Sequence, residues 1–377
     1  MAERDEKYDA LNVMTEIFNY RKINPTRLSL QRLWFRNILY YMGEQWIEWF
    51  SKRGTFSKNP RLNMVPTPVA NKIRDALKSE KALILNKNYI PRVWPNSNEP
   101  KDIEASEIAE MLIQDMDAYN DEEFKDEKEA VVDWMLLTGV GIMRTFPDME
   151  RGDYGIDSNG EMIKSGIVTS ESTSPFCLVT DPLGVKLRDM KYVGICSFKD
   201  KEWVEDNFKV IVANAANREE MQYQHTLMKF VGNVSPWKLA GLNISYLDEE
   251  YKNMVEFKEM EFKPTKTFPK GRYIVMANDQ IVIESEQLPL PMKKNQWMYS
   301  LDDFHYSKIQ GRFWSDSFVN DIISPQDGVN QIDQTLVMNR KSTGRPRVIL
   351  PIGTQIKRLN EHGESFLVLE YDPRLSG

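Results

Sequence analysis

The chain has 377 residues, 41% of them hydrophobic and 28% charged, and a formal net charge of −7. That is enough apolar material for one large mixed domain or two to three lobes, and it excludes a fibrous or disordered chain. The acidic balance excludes a protein that grips nucleic acid over its whole surface, and no stretch approaches the roughly 20 apolar residues that a membrane span needs.

The elements follow in chain order. Met1 to Asp9 is charged with no apolar core, so no signal peptide is expected. The part up to Gly139 reads as helical. Asn24-Pro25 is a helix start, and the segment Arg27–Trp49 continues it. Pro66-Thr67-Pro68 breaks the chain, and Thr67 is the expected cap of a helix carrying Ile73, Leu77 and Ile84. Tyr89–Trp94 is a short strand candidate. A helix from about Glu99 carries the stripe Ile108, Met111, Leu112, Met116 and Tyr119. The next carries Val131, Trp134 and Leu137 and stops at Gly139.

Strands then dominate. Val140–Phe146, Ile167–Thr169, Phe176–Thr180 and Tyr192–Phe198 are short and apolar. Asp157-Ser158-Asn159-Gly160 and Asp181-Pro182-Leu183-Gly184 are turns. From Lys199 the pattern is helical through Trp203, Phe208 and Ile211, and Ala213–Trp237 fits either a long helix or an insertion. Met254–Phe262 alternates apolar and charged residues, and Asn278-Asp279 joins two further strands. A helix is expected from about Ser315 to Lys341, with a kink or break at Ser324-Pro325, where Ser324 and Asp327 supply start signals. Its apolar face holds Phe318, Ile322, Val329, Ile332 and Leu336. Its polar face holds Asn320, Asp327, Gln331 and Gln334.

Signals for chemistry are few. No phosphate-binding glycine loop and no G-x-S-x-G elbow occurs. His225, His305 and His362 are far apart, and no Cys or His stands at metal-ligand spacing. Asp115 and Asp117 open like a calcium loop, but Tyr119 sits where an oxygen ligand belongs. Cys177 and Cys196 read as reduced, buried, small hydrophobes. No cofactor, metal or enzymatic activity is therefore expected.

Charge placement says more. The run Glu99–Glu129 is densely acidic, which fits either a solvated helix face or a surface that repels DNA phosphates. Arg340, Lys341, Arg345, Arg347, Lys357 and Arg358 form a basic stretch with no acid from Arg340 to Arg358. They suit the dipole of the preceding helix, and they also suit transient, sequence-independent contact with a phosphate backbone.

Taken in order, four stretches resemble the portal proteins of tailed bacteriophages, particularly the short-tailed, podovirus-like type. They are Ile90–Pro95 with the acidic helix at Glu104-Ala105-Ser106-Glu107; Leu137-Thr138-Gly139-Val140-Gly141; Ser174-Pro175-Phe176 with Asp181-Pro182; and Gly311–Ser317 leading into Ile323-Ser324-Pro325-Gln326 and Val329-Asn330. The last is the most specific. Together they cover roughly residues 60–350.

The resemblance implies an α+β portal-like fold: a helical wing with a β-rich subdomain, paired stem helices and a small α/β clip. On this chain the wing would be 1–198, the first stem helix and its connection 199–253, the clip 254–296 and the returning stem helix 297–342. Residues 343–377 would return to the wing and channel loop, with a crown absent or outside this chain. The subunits would form a homo-oligomeric ring, commonly a dodecamer, at one capsid vertex of the virion, after assembly in the host cytoplasm. Double-stranded DNA would pass through it. Its further partners would be the terminase large subunit, then the neck or tail adaptor, with the major capsid and scaffolding proteins around it and no membrane. Stem packing would use Phe318, Ile322, Val329, Ile332 and Leu336. The basic stretch would face DNA, and Lys263, Lys266, Lys270 and Arg272 would dock the motor or adaptor. Two rival readings are another virion neck or coat protein, and a metal-dependent nuclease with scattered carboxylate ligands.

Overall fold

The computed structural model describes residues 9–51, 55–62, 64–86, 92–119, 121–148, 152, 154–156, 162–164, 166–212, 254–290, 297–343, 347–352 and 367–372. Helix α1 (Ala10–Ile23) runs into α2 (Pro25–Met42) through Asn24, whose Oδ1 accepts from the N–H groups of Thr26 (3.0 Å) and Arg27 (3.3 Å). Helix α2 stops short of Trp49. Gly43 takes a left-handed φ of 95° and ends it, and β1 (Ile47–Phe50) then pairs with β2 (Thr55–Lys58). Helix α3 (Lys72–Leu85) is capped by Asn71 rather than Thr67; the Thr67 hydroxyl instead accepts from Lys58 Nζ at 2.9 Å.

Helices α4 (Pro100–Tyr119) and α5 (Asp121–Thr138) follow. Of the strand candidate Tyr89–Trp94, residues 92–94 are irregular and the rest lies outside the described residues. Gly139 ends α5, as its sequence predicts. Its φ is 92°, and a Cβ there would run into the Ser315 carbonyl, so only glycine fits. Helix α6 (Lys201–Phe208) ends before Ile211 because Lys209 adopts a left-handed conformation; residues 213–253 lie outside those described. Helix α7 (Phe318–Thr343) closes the helical set. Trp34, Ile38 and Leu39 of α2, Ile73 and Leu77 of α3, Leu136 and Leu137 of α5, and Val319 and Ile323 of α7 make one buried core.

The strands form two main antiparallel sheets. In the smaller, β3 (Val140–Asp148) lies between β6 (Ile167–Thr173) and β12 (Leu301–His305). In the larger, β7 (Leu178–Thr180), β8 (Tyr192–Asp200), β9 (Met254–Phe262), β10 (Arg272–Ala277) and β11 (Gln280–Ser285) lie in sequence order. Asn278-Asp279 is the two-residue turn between β10 and β11, with Asn278 at φ 51°. A short hairpin, β4 (Tyr154–Ile156) with β5 (Met162–Lys164), flanks the expected Asp157–Gly160 turn, whose own residues lie outside those described. The parallel pair β13 (Arg347–Pro351) and β14 (Leu367–Tyr371) follows α7.

The larger sheet corrects one expectation. The resemblance sets the strands of 254–296 apart as a small clip. Instead β9 pairs along its whole length with β8, from Tyr192↔Phe262 to Asp200↔Met254, and is the middle strand of five. Its alternating pattern reads as half-solvated, but both faces are covered. Val255 and Phe257 pack with Val204 of α6, and Met260 packs with Met14 and Phe18 of α1. The charges between them are paired: Lys258 Nζ lies 2.8 Å from Glu256, and Glu259 lies 2.7 Å from Arg144 on β3. Arg144 thereby ties the two sheets together. The range 297–342 is likewise more than a helix, since β12 joins the smaller sheet before α7 begins at Phe318.

Candidate functional site

Helix α7 carries the most specific of the stretches read from sequence. Pro325 does not break it; the helix runs through, and Ser324 and Pro325 sit on its exposed side. Both flanks of the proline are held. Val319 and Ile323 enter the helical core before it, and Gln326 and Asn330 are each 3% exposed after it. Gln326 Nε2 donates to the Ala70 carbonyl (2.8 Å) and to Asn330 Oδ1 (3.0 Å), while its Oε1 accepts from the Lys72 N–H (3.0 Å). Asn330 Nδ2 donates to Gln45 Oε1 (2.7 Å), and Gln45 Nε2 reaches Asn71 Oδ1 (3.2 Å) and the Tyr40 carbonyl (3.1 Å). A buried amide network in which each member is bonded fixes the register of α7 on α2 and α3.

The loop before α7 is pinned as firmly. Arg27 is buried, and its Nη2 donates to the carbonyls of Pro175 (2.8 Å), Phe176 (3.1 Å) and Leu178 (2.9 Å). Its guanidinium lies 5.2 Å from the Trp34 ring centre and 4.9 Å from that of Trp314. Burial, then the charge of Arg21, lowers its pKa to about 9, which leaves it charged at neutral pH. Ser317 Oγ accepts from Asn37 Nδ2 at 2.9 Å. Ser315 Oγ lies 2.7 Å from His305 Nδ1, and His305 Nε2 lies 2.5 Å from Asp303 Oδ2.

These last three residue types serve acyl transfer in other settings. Here Ser315 is 7% exposed and its carbonyl packs on Gly139. The line joins the loop to β12. Its only sequence signal is Asp303 and His305 alternating onto one face of a strand. An open cleft of about 500 Å³ lies alongside, lined by Lys186, Arg188, Trp297, Tyr299, Asp302 and Lys308 among others.

The apolar face read for α7 is divided. Phe318 and Ile322 pack against the helical core and Val329 is half-buried, but Ile332 and Leu336 are 62% and 60% exposed. The inward face is instead Val319, Ile323, Gln326 and Asn330, about a quarter turn away. The expected polar face is also corrected. Asp327 accepts from Tyr40 Oη at 2.8 Å, Gln334 donates to the Pro66 carbonyl at 3.0 Å, and Asn320 bonds Asp316 and Arg36, so only Gln331 is exposed. These polar side chains hold α7 on its own chain, through Tyr40 and Arg36 of α2 and the Pro66 carbonyl of the loop before α3.

Of the basic stretch, Arg340 and Lys341 are exposed in the last turn of α7. Arg347 begins β13, though its side chain, with Arg345, Lys357 and Arg358, lies outside those described. Of the four docking candidates, Lys266 and Lys270 are exposed and Lys263 lies half-buried, 5.4 Å from the Trp297 ring centre. Arg272 is withdrawn from that set, because it is buried and paired with Glu284.

The α4 stripe is corrected too. Ile108, Met111 and Leu112 are exposed, and the helix turns Ser106 inward instead; the side chains of Asp115, Met116, Asp117 and Tyr119 lie outside those described. Both cysteines are free and buried, and burial pushes their thiols up to about 11 for Cys177 and about 12 for Cys196. Among the described residues no group of three or more His, Cys, Asp or Glu could hold a metal ion, and no helix is long and apolar enough to cross a membrane. No protein-family model matches the chain, and no curated protein matches it.

Proposed function

We propose that this chain is a structural subunit of a portal-like ring, the conduit for double-stranded DNA at one vertex of a phage capsid. One observation carries the reading. Helix α7 is locked into its own subunit on one face, while the adjoining stripe of Ile332 and Leu336 stays open and ends in Arg340 and Lys341. A helix fixed this firmly, with an uncovered apolar stripe, is built to be covered by another molecule. Lys341 in the last turn offers phosphate contacts that are weak, salt-sensitive and indifferent to sequence, as a conduit requires. The exposed Glu107 of α4 would repel phosphates elsewhere. In this reading the terminase large subunit and then the neck or tail adaptor dock on the same ring, with Lys266 and Lys270 as contacts, and the major capsid and scaffolding proteins surround it.

Sedimentation of the purified chain tests the claim. The wild type is expected as a large oligomer. Ile332→Glu with Leu336→Glu is expected to dissociate it at equal concentration, with the thermal midpoint of the subunit unchanged because both sites are exposed. A wild type that stays monomeric at high concentration rules the reading out.

A further inference from the structure

Two exposed ridges on this chain complement one another. On α7, Gly328, Ile332, Leu336 and Arg340 follow at four-residue spacing and form a single row. On α4, Glu104, Ile108 and Leu112 follow at the same spacing, on the side opposite buried Ser106. Ile108 and Leu112 are 52% and 58% exposed, close to the values for Ile332 and Leu336. Among the described residues neither Glu104 nor Arg340 has an ion-pair partner. Laid antiparallel, the rows put Glu104 beside Arg340, Ile108 beside Leu336 and Leu112 beside Ile332. The acid lies near the N-terminal end of its helix and the base near the C-terminal end of the other, so the two macrodipoles oppose and each charge suits its own helix.

Gly328 is the second observation. A Cβ there would meet nothing within 4 Å, so no contact among the described residues calls for a glycine. Glycine inside a helix is destabilising relative to alanine, and close approach of another backbone is a physical reason to keep one.

We infer that α4 of one copy docks antiparallel on the outer ridge of α7 of the next copy, head to tail. The occupant is a second copy because this chain carries both halves of the match, in apolar spacing and in charge. A heterologous contact of this kind repeats around a ring. The inference rests on the ring reading and adds which surfaces meet.

Cross-linking tests it. The native cysteines are buried, so Ile108→Cys with Leu336→Cys in one chain supplies the reactive pair for a short bismaleimide. The double variant is expected to give a ladder of covalent species that continues past the dimer, and each single variant is expected to stay at the monomer position. Charge reversal at Arg340 (Arg340→Glu) in that background is expected to thin the ladder, and adding Glu104→Arg to restore it. No product, an internally linked monomer, or a ladder that stops at the dimer overturns the contact. Micrographs of the same sample before cross-linking separate the two failures: rings without a ladder leave the portal reading intact and refute only this interface.

Discussion

Asp303 shows how a single residue reports on the loop that seats α7. The hydrogen bond from His305 holds its carboxyl below the usual carboxylate range, against the opposing effect of burial. A depressed folded value means that the folded state binds fewer protons there than the unfolded chain. The stability it contributes is therefore present above about pH 4, the ordinary aspartate value, and is lost as pH falls through the folded value. Asp303→Asn is expected to cost roughly 1–2 kcal/mol at pH 5, and the gap between its urea midpoint and that of the wild type should narrow by pH 3. A gap unchanged between those two pH values would show that the contact is not electrostatic. The sequence marked only half of this contact, the alternation of Asp303 and His305 along one strand, because Ser315 reaches His305 from a loop. Arg27 was hidden for a related reason: its partners are carbonyls and indole rings brought from residues 34, 175–178 and 314, and no spacing in the chain announces them.

At the scale of elements, local chemistry was legible where it acts locally. Asn24-Pro25, Gly139, the Asp181–Gly184 turn and the Asn278-Asp279 hairpin all stand where their residue types place them. Tertiary partners decided the rest. Periodicity identified α7 but assigned its inward face by apolarity, whereas the structure buries Gln326 and Asn330 and leaves Ile332 and Leu336 in solvent. A helix can bury amides when each finds a partner, and that pairing is not visible in a single segment. The same network helps α7 continue through Pro325, which lacks the N–H for one helical bond: the turns on either side of it are anchored separately. Asn330→Leu is expected to destabilise the subunit by about 2–3 kcal/mol, because Gln45 and Gln326 are both left with a buried group unpaired. Gln326→Leu combined with it should cost less than the sum of the two single changes, since they share one network. Additive losses in denaturant titration would show that the amides act independently.

For the molecule as a whole, class was legible and partition was not. A mixed helix and sheet chain was expected and is present. The division at residue 254 came with the family resemblance, but β8 and β9 pair across it, and pairing between strands so far apart in the chain leaves no local trace. What remains is a chain with a firmly packed interior and, among the described residues, two exposed ridges of matching spacing, one with Glu104 and one with Arg340. The central claim is that such subunits close into a ring around DNA. Class-averaged electron micrographs of the purified chain test it most directly. Closed rings of uniform copy number, with a central opening wide enough for duplex DNA, are expected. Monodisperse single subunits at high concentration, or open chains that never close, would contradict it.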